Sequence, residues 1–71
     1  MTEQEYLELI ESSVDAIGLR RTIDTLSRIC HEKADHIDTN WQDHILSARW
    51  QKAGNILDGT ALKIGVILGE D

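Results

Sequence analysis

Apolar residues recur along this chain at steps of three and four, the repeat of a helix rather than the alternation of a strand. Tyr6, Ile10, Val14 and Ile17 keep that spacing, with Leu7 alongside, while Glu8, Glu11 and Asp15 form a separate stripe. Thr2-Glu3-Gln4-Glu5 has the form of a capping box, a Thr N-cap with Glu three residues on. Gly18 suits the end of this first helix because it tolerates a left-handed backbone. A second helix is predicted over residues 19–38. Its apolar positions, Leu19, Ile23, Leu26, Cys30, Ala34 and Ile37, fall on one face, and Arg21, Asp24, Arg28, His31, Glu32 and Asp35 fall on the opposite one.

Asp38-Thr39-Asn40 reads as a turn. Asn40 or Thr39 is then the cap of a third helix starting near Trp41, with Asp43 in its first turn. This helix carries two apolar stripes. One holds Trp41, Ile45, Ala48 and Ile56; the other holds Leu46, Trp50, Ala53, Leu57, Ala61, Ile64 and Leu68. Gly54, Gly59 and Gly65 each weaken a helix by up to about 1 kcal/mol. The third helix therefore either runs on to Leu68 or breaks at Gly59 and restarts at Thr60, and residues 69–71 are expected to fray.

The chain has 71 residues, which bounds it to a single small helical domain. A chain of this size buries only about 60% of its unfolded surface and needs a staple or a partner. Cys30 is the only cysteine, so an intrachain disulfide is excluded. One thiol and no basic leader before an apolar core point to a cytoplasmic setting. No apolar run approaches the roughly 18–20 residues of a membrane span. The net charge of −6 disfavours direct binding to nucleic acid or to an anionic membrane and allows a basic protein partner or mimicry of nucleic acid.

The stretch His31-Glu32-Lys33-Ala34-Asp35-His36 begins like the zinc-protease motif and then departs from it. That motif places two His four residues apart on one helical face. Here the i+4 partner of His31 is Asp35, and His36 lies about 140° further round. A catalytic zinc needs three protein ligands, and the third would have to be Asp38, His44 or Cys30. The same residues form a run of i,i+4 charge pairs, from Arg20–Asp24 through Arg28–Glu32 and His31–Asp35 to Glu32–His36. Such a run is a solvated face. Cys30 and His31 project about 100° apart and cannot form a nucleophile–base pair, so Cys30 is expected in the core. Of Trp41 and Trp50, one is expected in the core and one at an interface.

The stretch CHEKADHIDTNWQDHILSARWQKAG, about a third of the chain, resembles a pattern met in short uncharacterised helical proteins of bacteria and their phages. The resemblance implies two helices joined around Thr39-Asn40 and a phage or prophage setting. It implies no activity and no site residues.

The expected fold is all-α: an antiparallel helical hairpin with an N-terminal helix across it, three to four helices in all, assembled as a homodimeric bundle. Leu46, Trp50, Leu57 and Ile64 are the expected oligomer interface. Glu8, Glu11 and Asp15 read either as a plainly solvated face, the commoner meaning of a charge run, or as the docking stripe for a basic protein, and they are the expected partner-binding residues. The expected function is that of a non-enzymatic binding protein without a cofactor that docks on a protein partner; in the phage setting that the resemblance implies, the partner is a host or defence factor and the docking point its basic nucleic-acid-binding surface. The alternative is a small metal-binding or metal-sensing protein using His31, Asp35 and His36.

Overall fold

The computed structural model describes residues 1–70. Among these the chain is entirely helical: α1 is Glu3–Ile17, α2 is Leu19–Asn40 and α3 is His44–Leu68. The capping box at Thr2 forms in both directions: Thr2 Oγ1 accepts from the Glu5 N–H, and Glu5 Oε1 accepts from the Thr2 N–H. Gly18 alone separates α1 from α2, with φ +86° and ψ 160°, a conformation open essentially to glycine alone.

The second connection lies three residues later than the turn read from the sequence. α2 continues through Asp38-Thr39-Asn40 and ends against Trp41, and Gln42 takes a left-handed φ of 51°. Asn40 is not a cap, because its amide donates back to the His36 carbonyl. Asp43 is the cap instead, accepting the Leu46 N–H at 3.0 Å. α3 then runs through Gly54, Gly59 and Gly65 without a break.

α2 and α3 pack along each other. Position along α2 falls as position along α3 rises: Ser47 donates to the Ala34 carbonyl, Ser27 to that of Gly54, and the Arg20 N–H to Glu70 Oε1. The buried residues at this seam and its ends are Thr22, Ser27, Cys30, Ala34, Gly54, Ala61 and Gly65. None is larger than threonine. Small side chains let the two backbones approach closely, so Gly54 and Gly65, which weaken a helix in isolation, here form part of its packing surface, while Gly59 is exposed. Leu26, on the cleanest apolar stripe of the sequence, is 44% exposed.

The C-terminal residues close this pair. Gly69 adopts a left-handed cap, and the Glu70 N–H donates to the Gly65 carbonyl. The Glu70 carboxylate then accepts the Arg20 N–H at 2.8 Å, satisfying a free donor in the first turn of α2, where Gly18 supplies no capping side chain. Residue 70 is thus fastened rather than frayed; Asp71 lies outside the described residues.

α1 does not lie across the other helices as the sequence suggested. It touches α2 and makes no packing contact with α3, and none of its residues is buried. The molecule measures 38 × 32 × 14 Å. Two packed helices are only about 20 Å wide, so the second dimension is that of a projecting arm. The reason is the link: helices that fold back on one another need a connection of about 2–5 residues, and Gly18 is one.

Candidate interaction surfaces

The histidines are drawn to separate partners. His31 Nε2 lies 3.2 Å from Asp58 Oδ2 on α3 rather than pairing with Asp35. His36 lies against Asn40, and His44 pairs with Asp38. His31, Asp35 and His36 therefore do not converge, and no group of three metal-binding side chains forms among the described residues. The i,i+4 pairs Arg20–Asp24 and Arg28–Glu32 do form.

His31 is part of a clip across the seam. Its ring lies so close to Gly54 that a Cβ there would meet it at 2.7 Å. Ser27 Oγ stands 2.9 Å from the Gly54 carbonyl and also against Asp58 Oδ1. With one proton to donate, it serves either acceptor. Donation from Ser27, then His31, holds the Asp58 carboxyl below its ordinary value. The Gln51 side chain, then the Asp58 carboxylate, pushes His31 up. Its Nδ1 is sealed from solvent without a partner in hydrogen-bond geometry.

Ser, Asp and His in contact suggest a hydrolytic triad, but the order is wrong. Asp58 stands between the other two, so His31 is not placed to take a proton from Ser27. Ser27 is also only 1% exposed. These contacts join positions 27 or more residues apart, and no sequence motif pointed to them. The available signal was the run of small residues at helical spacing on both helices.

The sequence-predicted surfaces are distributed unevenly. Glu8, Glu11 and Asp15 are all exposed on α1, with no basic side chain beside them on that helix. Trp50, Leu57 and Ile64 are half-buried and Leu46 is 40% exposed. These four lie on the flank of α3 nearer α2, where Lys33 Nζ sits 5.7 Å from the Trp50 ring centroid. Ile29, Lys33, His36, Ile37 and Trp50 line a shallow groove there. Cys30 is buried, as its stripe implied. Trp41 is 73% exposed.

The more open apolar surface of α3 is its outer side, turned away from α2. Ile45, Ile56 and Ile67 are 72%, 62% and 75% exposed, and Arg49, Lys52 and Lys63 stand between them, also exposed. No helix among the described residues is long and apolar enough to cross a membrane. No protein-family model, curated protein or solved structure matches this chain.

Proposed function

We propose that this chain is a non-enzymatic binding protein that works as a small homo-oligomer in the cytoplasm and docks on a basic protein through Glu8, Glu11 and Asp15. One observation carries this reading: α1 is a projecting helix with five acids, no base and no buried residue. An exposed single-sign stripe steers an oppositely charged partner and sets specificity. In the phage setting implied by the resemblance, the partner is a host or defence factor presenting a basic nucleic-acid-binding surface. A hairpin of α2 and α3 is the scaffold that holds the arm out. Oligomerisation, with Leu46 as the most open of the four expected interface residues, reduces the apolar surface that a chain of this size leaves uncovered.

The test is a pull-down from the bacterial host with mass spectrometry, run with the unmutated chain and with Glu8→Lys, Glu11→Lys and Asp15→Lys combined. A basic protein held by the first, lost by the second and released by salt is the expected result. Retention of the same proteins by both forms refutes the docking stripe.

A further inference from the structure

The outer stripe of α3 and the apolar stripe of α1 are complementary in chemistry; the first is exposed along its length, and the second is exposed at Tyr6 and Ile10 and half-buried at Val14. Ile45, Arg49, Lys52, Ile56, Lys63 and Ile67 follow one another at steps of four, three, four, seven and four, a continuous helical face. It lies opposite the seam residues Ser47, Gly54, Asp58, Ala61 and Gly65. The only acid in α3 is Asp58, and it is engaged with Ser27 and His31 at the seam. α1 presents Tyr6, Ile10, Val14 and Ile17 on one face, with Glu8, Glu11 and Asp15 in a stripe along one side of it. Each surface offers apolar contacts, and each supplies the charge the other lacks.

We infer that α1 of one copy packs on the outer stripe of α3 of a second copy, reciprocally, in a two-fold dimer. Within one chain this contact is not available. α1 has no packing contact with its own α3, and α2 fills α3's opposite side. The elbow is also fixed: the Glu70 carboxylate sits 2.8 Å from where a Gly18 Cβ would be and holds the Arg20 N–H. A reciprocal exchange closes on itself, because each copy gives one arm and receives one.

The area agrees. A compact monomer of 8.0 kDa exposes about 4,450 Å² by the usual size scaling, and this chain exposes 5526 Å². The excess, about 1,100 Å², is of the order of the roughly 800 Å² that each partner buries in a standard interface. The arm also fits within the stripe: the 15 residues of α1 span about 22 Å, against about 33 Å from Ile45 to Ile67.

This inference rests on the homo-oligomer part of the proposed function, and complementation distinguishes the two. Ile10→Asp and Ile56→Asp alter exposed side chains, so both variants keep the helical circular dichroism of the parent. Light scattering and sedimentation should find the unmutated chain at twice its mass. Each variant alone should dissociate at least tenfold more readily, and raised salt should weaken the unmutated dimer. A mixture of the two should associate more tightly than either variant alone and more weakly than the unmutated chain, since the α1 of one and the α3 of the other form one intact contact of the two. A dimer indifferent to both substitutions overturns the α1–α3 contact and leaves the oligomer reading standing. An unmutated chain that stays monomeric at micromolar concentration overturns both.

Discussion

α1 and the α2–α3 seam divide the work of the molecule in an unexpected way. α1 is amphipathic, with Tyr6, Ile10, Val14 and Ile17 on one face, and buries nothing. The seam is made of Ser27, Ala34, Gly54, Ala61 and Gly65, and it is where burial occurs. Large apolar side chains gain most from leaving water, but they need a surface to leave it against. The seam instead gains from close backbone approach, dispersion contacts and satisfied hydroxyls. A helical stripe thus reports the capacity to bury, and the connection decides whether the chain can use it on itself.

Overpacking the seam should separate the two regions most sharply. Gly54→Leu drives a side chain into the His31 ring, where even a Cβ stands at 2.7 Å. It should cost about 3 kcal/mol or more, comparable to the whole stability of so small a domain, and abolish a cooperative thermal melt. Removing the hydroxyl of the clip comes next. Ser27→Ala removes one of the two donors to the Asp58 carboxylate and should cost about 1–3 kcal/mol by urea denaturation.

A subtler effect is the dependence of the seam on pH. Asp58 is held below its ordinary 3.8 and His31 above its ordinary 6.5. The Asp58 contribution is present above 3.8 and fades as pH falls through its depressed value. The His31 contribution is present below 6.5 and fades as pH rises through its raised value. Both therefore act together between pH 3.8 and 6.5. Melting temperatures from this clip should be highest in that window and decline on the alkaline side, and His31→Gln should flatten that decline. The smallest effect is expected in α1. Ile10→Ala, measured dilute enough to be monomeric, should change stability by less than about 0.5 kcal/mol, as a surface substitution does. A loss of several kcal/mol there would mean that α1 is core after all.

The features legible in the sequence were local ones. The Thr2–Glu5 capping box, the end of α1 at Gly18 and the apolar face through Cys30 each depend on residues within one or two turns. The turn was misplaced because Asn40 and Asp43 are both good caps, and the choice fell to Asn40's bond back to His36. The pairing of His31 with Asp58 was not legible, because it depends on Gly54 bringing two helices close. Gly54 and Gly65 were read as weakening α3, when their spacing with Ala61 was the signal of the seam. Glu70 was assigned to a loose end because its partner, the Arg20 N–H, lies 50 positions away. The stripe through Trp50, Leu57 and Ile64 was read from one helix alone, and in the structure it is half-buried on the flank of α3 nearer α2.

A core built of such small side chains has a calorimetric consequence. Heat capacity on unfolding follows the apolar area newly wetted, typically about 12–15 cal/mol/K per residue. Leu7, Ile10, Ile45, Ile56 and Ile67 are already largely wet in the folded chain, so the monomer should fall below that range. Its stability curve should be correspondingly flat, with a broad melt and a cold limb displaced far below freezing. A heat-capacity increment that climbs with protein concentration would then measure, without any structure of the assembly, how much of that wet surface a second copy dries.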